Sequence, residues 1–281
     1  MFPFIHIGGL DISTWRVVVV TGVVLCWIIF LMRARKLGYS FYTVFPWLLF
    51  GLPVGTLGAH FFGKLIPALA GADNAAYSLT GLTVIGSIFC CLLFSFFYIK
   101  YIMKMPPMQV LDASAFAFPL SIFIGRMGCL LNGCCYGKIA PDWVKPSLLS
   151  LVTIPVGLYV EPSSAWRDYL GVPHDRLAWN LPLLLMINVF FVLIVTETMY
   201  RNRIKWDLYP GTVFAATSTL YAGGRFFIEF MRKEDVVDNA LFNPWQLALL
   251  VLFFASLLWL CVCLYRWSQN LSMHSLKEEL P

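Results

Sequence analysis

Residues Leu247–Tyr265 read LALLVLFFASLLWLCVCLY, a run of 19 positions without one Asp, Glu, Lys or Arg. A helix needs about 20 mainly apolar residues to cross the hydrocarbon core of a bilayer. The run therefore predicts a spanning helix over about 242–265. Six other stretches share this character, at about 14–32, 43–70, 78–100, 109–131, 177–199 and 209–231. The expected fold class is an all-α integral membrane protein with seven transmembrane helices, built as a single membrane domain over 1–281. The connection between the fourth and fifth spans, about 132–176, is expected to form a small exterior insertion. Its apolar piece Leu148–Val160 is short and contains Pro155 and Gly157, so it reads as surface-lying or small-domain structure, not an eighth span.

The whole chain agrees with its apolar runs. Of 281 residues, 59% are hydrophobic and only 12% charged, against about 25% charged in a soluble domain. Mean hydropathy is +0.76. Soluble enzymes, secreted disulfide scaffolds and disordered chains are excluded. The net charge of +5 does not point to nucleic acid, because the basic residues cluster at the ends of apolar runs. Arg33, Arg35 and Lys36 follow span one, and Lys100 and Lys104 follow span three. Arg201, Arg203 and Lys205 follow span five, and Arg266 and Lys277 follow span seven. Basic clusters on alternate connections set orientation. They predict an exterior N-terminus and a cytoplasmic C-terminus, with 71–77, 132–176 and 232–241 outside. Met1–Thr14 lacks a basic start and a small-residue cleavage site, so no signal peptide is expected.

Ionisable residues inside spans are expensive and mark functional sites. Span four carries Asp112 near its inner end and Arg126 near its outer end; span six carries Arg225 and Glu229, followed by Arg232. Both spans run from inside to outside, which puts Arg126 and Arg225 at similar depth beneath the outer headgroups. A guanidinium keeps its charge and offers a fork of donors matched to phosphate oxygens. Two of them suggest a site for the phosphate of a phospholipid. Glu229, four residues after Arg225, could also simply neutralise it. Asp112 lies about four turns below Arg126 and reads as a buried cap or pairing residue. His60 in span two is a candidate base or a hydrogen-bonded core histidine.

The stretch from Gly125 to Gly137 is the most unusual in the chain, with Gly125, Gly128, Gly133 and Gly137 around Arg126 and Asn132. Glycines allow close backbone approach to a ligand and an exit from the helix, although Gly125 and Gly128 could serve helix packing. Eight cysteines are present, and Cys129, Cys134 and Cys135 form a cluster. It has three readings. Zinc needs a fourth ligand, for which His174 is available at no usual spacing. A Cys129–Cys134 disulfide suits an oxidising outer face. Small residues at a crowded turn are the third. No metal and no cofactor is assigned from these patterns.

These residues carry a resemblance to the prolipoprotein diacylglyceryl transferase family of bacterial inner membranes. Phe4-Ile5-His6-Ile7-Gly8 resembles the family's opening, and Asp112–Gly137 its signature, in which an Asp precedes Gly-Arg and then an Asn-Gly. Tyr221, Arg225, Glu229, Arg232 and Asp235 match its Y-x-x-x-R-x-x-x-E-x-x-R-x-x-D, and Gln246 fits the Gln opening the last span. The resemblance implies transfer of diacylglyceryl from phosphatidylglycerol to the lipobox Cys thiol of a preprolipoprotein, with glycerol phosphate as by-product. It implies a multi-pass protein of the bacterial cytoplasmic membrane whose partners are phosphatidylglycerol and a preprolipoprotein signal peptide. Arg126 and Arg225 take the places of the family's essential arginines. Asn132, Gly133 and Gly137 map to its signature, and Glu229 to its Arg-pairing carboxylate.

The chain also departs from the family. The base histidine of the family is Ile85 here, the first signature Asn is Cys129, and the acidic residue after Asn-Gly is Cys134. A Tyr near span one is Trp15, and the motif before span five reads His174–Asn180. The phosphate-holding part is kept and the proton-handling part replaced, which leaves His60 as the intramembrane group able to take a proton. Two rivals follow: an impaired homologue that binds anionic phospholipid or a lipoprotein precursor, and a membrane thiol-redox protein using the three cysteines.

Overall fold

The computed structural model describes residues 4–7, 10–70, 90–91, 93–104, 106–141, 152–159, 169, 171–232 and 244–278. Among them, five helices are long and apolar enough to cross a membrane: Thr14–Lys36, Phe41–Phe61, Pro107–Asn132, Leu181–Asn202 and Gln246–Gln269. The expected third span, 78–100, lies largely outside the described residues. The expected sixth is helical over Thr212–Glu229 but short and polar, with Thr212, Thr217, Ser218, Thr219, Arg225 and Glu229 buried along it.

The chain divides into two compact units, Met1–Cys26 with Ser114–Pro281, and Trp27–Ala113. In the first, strands β1 (Phe4–Ile7) and β2 (Leu10–Ser13) form an antiparallel hairpin with Ile7 opposite Leu10. The hairpin leads directly into helix α1 (Thr14–Lys36). Its first half packs on the helix that carries Arg126: Cys26 Sγ donates to the Ala117 carbonyl, and Gly22 lies against Ile124. The remaining helices of this unit are α4 (Ala117–Asn132), α5 (Leu181–Asn202), α6 (Thr212–Glu229) and α7 (Pro244–Glu278). Between them, α4 packs on α5, α5 on α6, and α6 on α7.

Local sequence sets the helix ends. Asn180 caps α5 by accepting from the Leu183 amide at 3.3 Å, which satisfies one of the orphan donors of the first turn. Gly211, in the left-handed region at φ 96°, precedes α6. The outward faces are apolar, with Phe191 on α5 and Leu258 on α7 57% and 68% exposed. Such faces suit lipid and not water.

Between α4 and α5 the chain builds a small module. Strands β3 (Thr153–Pro155) and β4 (Leu177–Trp179) pair antiparallel. Val156, Tyr159, Tyr169 and Ala178 form its buried centre, and Tyr136 packs against them. Burial pushes the pKa of Tyr159 above the ordinary tyrosine range, so its hydroxyl stays neutral. In the second unit, helices α2 (Phe41–Ala70) and α3 (Pro107–Ser114) flank a segment that turns π-helical over Tyr98–Met103. There Trp47 Nε1 donates to Ser95 at 3.0 Å and Tyr98 OH to the Thr43 carbonyl at 3.1 Å.

Candidate functional site

Arg126 lies in the last two turns of α4, and Arg225 one turn before the end of α6. The fold brings them into electrostatic range of each other, with Tyr221 acting on both. Arg225 is buried, and its Nη2 stands 2.6 Å from Glu229 Oε2 as an ion pair not aligned for a hydrogen bond. Glu229 is 2% exposed and accepts from Arg232 Nη1 at 3.1 Å through its other oxygen. One carboxylate thus serves two arginines. Arg126 and Arg232 both lie within electrostatic range of Arg225, so three guanidiniums gather at these helix ends. Such a cluster offers forked donors matched to phosphate oxygens.

The helix carrying Arg126 ends at Gly133, whose φ of 69° is open to glycine at little cost. The amides of Gly133 and Cys134 both return to the Cys129 carbonyl. Cys135 is also left-handed, at φ 59°, a conformation uncommon outside glycine. This double reversal folds the chain back over the helix end. The Sγ atoms of Cys129, Cys134 and Cys135 come to lie within 4.8 Å of one another. All three are free thiols. Arg126 shares a hydrogen bond with Cys135. Hydrogen bonds from Cys129 and Cys134, reinforced by Arg126 and Arg232, hold the Cys135 thiol well below the usual range. Sharing hydrogen bonds with the other two thiols raises Cys134 instead.

The loop is then stitched to α6. The Gly137 amide donates to the Trp179 carbonyl at 3.0 Å, and the Lys138 amide to Met231 at 2.8 Å. Tyr169 OH donates to the Gly137 carbonyl. A Cβ on Gly137 would stand 2.6 Å from Trp179 Cβ and 2.8 Å from the Met231 carbonyl oxygen. Gly137 is therefore a glycine of close approach that fixes the cysteine loop beside the arginine cluster.

The other expected site residues are distributed as follows. Asn132 is the last residue of α4 and half-buried. A Cβ on Gly125 would meet nothing within 4 Å, so this glycine faces open space; a Cβ on Gly128 would instead stand 3.1 Å from Trp15 Cδ1, so this glycine lets α1 pack on α4. His60 is exposed on α2, in the other compact unit from the arginines. Ile85 lies outside the described residues. His174 sits against Gly157 and does not join the three thiols. Sequence reasoning missed Tyr169 as the partner of Gly137, for which no local pattern gives a signal. Tyr221 stood in the arginine motif, four residues before Arg225, but was not assigned to the site.

Known proteins resemble the chain along most of its length. The family model described as prolipoprotein diacylglyceryl transferase matches residues 3–265. A phosphatidylglycerol–prolipoprotein diacylglyceryl transferase of Dehalococcoides mccartyi is 26% identical over 239 residues, covering 82% of this chain and 81% of the relative. Proteins of the same name from Chloroflexus aggregans and Lactococcus lactis are each 25% identical. They cover 88% and 90% of this chain, and 81% and 94% of their own lengths.

Proposed function

The chain belongs to the prolipoprotein diacylglyceryl transferase family, and we propose that Arg126 and Arg225 hold the phosphate of phosphatidylglycerol during transfer of its diacylglyceryl group to a lipobox thiol. The relatives that match across most of the chain carry both substrates in their names. The observation that carries the site reading is the gathering of guanidiniums: Arg225 and Arg232 meet on Glu229, and Arg126 lies within electrostatic range of Arg225. As the bond from glyceryl carbon to phosphate oxygen breaks, charge grows on the phosphate, and fixed donors aimed there stabilise the transition state. In this reading Asn132, Gly133 and the open face of Gly125, on or at the end of the helix that carries Arg126, give backbone access to the headgroup.

The membrane arrangement goes with this reading. Seven spans, an exterior N-terminus and an exterior module between the fourth and fifth spans put the arginine cluster under the outer leaflet, where a lipoprotein precursor presents its signal peptide. The alternating basic clusters support that orientation.

The test is transfer from phosphatidylglycerol to a lipobox peptide by purified protein, with release of glycerol phosphate. Arg126→Ala and Arg225→Ala should each weaken lipid binding by about 10–100-fold, the worth of a charged hydrogen bond or two. Lys at either position should restore part of the affinity, because a point charge lacks the bidentate fork. Lipid binding without transfer at any pH from about 6 to 9, a range that covers thiol ionisation, would leave a phospholipid-binding homologue instead. Wild-type lipid affinity in both Ala variants would refute the arginine site.

A further inference from the structure

We propose that Cys129, Cys134 and Cys135 bind one zinc ion with its fourth position open, and that this position takes the acceptor thiol as a thiolate. The inference rests on the transferase reading above and departs from the expectation that the chain carries no metal. Its basis is geometric. The three Sγ atoms lie within 4.8 Å of one another. A tetrahedral zinc with Zn–S bonds of about 2.3 Å sets sulfurs about 3.8 Å apart, so small side-chain rotations close the site. The backbone already makes the reversal this needs, through Gly133 and Cys135 in the left-handed region.

The count of ligands separates a structural from a catalytic ion. Structural zinc is closed by four protein ligands, whereas three with an open position is the catalytic pattern. Among the described residues, no further His, Cys, Asp or Glu joins the group. Cys129 is buried while Cys134 and Cys135 are half-buried, so the site is anchored on one side and reachable on the other. Zinc with three thiolates carries one net negative charge. Arg126, hydrogen-bonded to Cys135, and Arg232, within electrostatic range of it, offset that charge.

The chemistry then closes without a histidine. A free thiol is a few per cent thiolate at neutral pH, whereas a thiol that coordinates zinc is deprotonated outright. On binding, the acceptor S–H proton leaves to water. The sulfur lone pair forms the S–C bond to the glyceryl carbon that bears the phosphate. The C–O bond breaks, and its electron pair stays on the phosphate oxygen. A phosphodiester monoanion thereby becomes a phosphate monoester dianion, and the neutral thioether leaves the metal. No electron is gained or lost overall. Negative charge moves from zinc-bound sulfur to phosphate oxygen, both within the field of Arg126.

The experiment uses the full chain in detergent, metal-depleted and then exposed to Zn²⁺ alone. One zinc per chain should remain after desalting, and Cys129→Ser, Cys134→Ser and Cys135→Ser should each lose it while keeping the helical circular-dichroism spectrum of the folded chain. Co²⁺-loaded wild-type protein reads the fourth position directly. Its visible spectrum should shift with a lipobox peptide containing Cys, and not with the Ser peptide. Metal depletion should slow transfer at least about 100-fold, the low end of what an activating group contributes, and Zn²⁺ should restore it. Undiminished transfer by metal-free protein would overturn the zinc site and leave the transferase reading intact. So would a disulfide among the three cysteines in air-equilibrated membranes, or retention of Cu(I) in place of zinc. A Cys-dependent shift of the Co²⁺ spectrum, with no transfer by the zinc-loaded protein, would uphold the site and overturn the transferase reading.

Discussion

Glu229 is 2% exposed and faces two guanidiniums, Arg225 at 2.6 Å and Arg232 at 3.1 Å. Removing one member of a buried ion pair leaves the other charge uncompensated, at a cost of about 3–5 kcal/mol. Glu229→Gln keeps the shape and removes the charge, so Arg225 and Arg232 would lose the carboxylate they share. We expect a drop in Tm of about 5–10 °C in lipid-free detergent, by the usual relation of stability to melting temperature. Phosphatidylglycerol should raise the Tm of the variant more than that of the wild type, because its phosphate supplies the missing negative charge. Equal shifts for the two proteins, read by thermal unfolding with and without the lipid, would show that no phosphate reaches this cluster. The pairing of Glu229 with Arg225 was legible from their spacing of four residues on a helix. The contact of Cys135 with Arg126 was not, because it depends on a left-handed residue that nothing in the side-chain pattern announces.

At the scale of elements, α6 is the helix that has to hold its position, since it carries Arg225 and Glu229. It is pinned on both sides by polar contacts inside an apolar bundle. Thr196 of α5 and Thr217 share a hydrogen bond at 2.8 Å, and Thr219 donates to Ser256 of α7 at 3.1 Å. Gly224, next to Arg225, has no room for a side chain: a Cβ would stand 2.0 Å from Asn188 Oδ1 and 2.6 Å from its Cγ. Gly224→Ala should therefore destabilise the protein by about 1–3 kcal/mol, as overpacking does. It should also weaken phosphatidylglycerol binding by displacing its neighbour. Asn188→Ala in the same chain should recover most of both losses, and a double-mutant cycle that finds no coupling would refute the contact. The same buried polar residues explain why α6 is not among the five helices long and apolar enough to cross a membrane. A run such as Leu247–Tyr265 announces a helix by length and apolarity alone. The hairpin Phe4–Ser13 escaped notice because two four-residue strands beside a spanning helix leave too short an alternation to separate from noise. Gly137 was visible as a glycine, but its reason, the approach of Trp179 and Met231, is set by residues tens of positions away.

Outside the buried arginine cluster, the basic residues gather at the ends of apolar runs, which is why 20 Lys and Arg against 15 Asp and Glu bear on orientation and not on nucleic acid. On α1 the basic residues Arg33, Arg35 and Lys36 all fall in the last turn, and Arg201 closes α5. Both helix ends are then cytoplasmic if positive loops stay inside. The arginine cluster lies at the opposite ends of the neighbouring helices, near the last residues of α4 and α6. Orientation and site therefore stand together: were the chain inverted, the phosphate site would open to the inner leaflet. After removal of the native cysteines, a cysteine at Asp175, exposed beyond the Tyr159–Tyr169 module, should react with an impermeant thiol reagent in intact cells. One at Glu278, the last residue of α7, should react only after the membrane is permeabilised. The reverse pattern would place Arg126 and Arg225 on the cytoplasmic side, out of reach of a precursor exposed on the outer face, and would count against the proposed transfer reaction there.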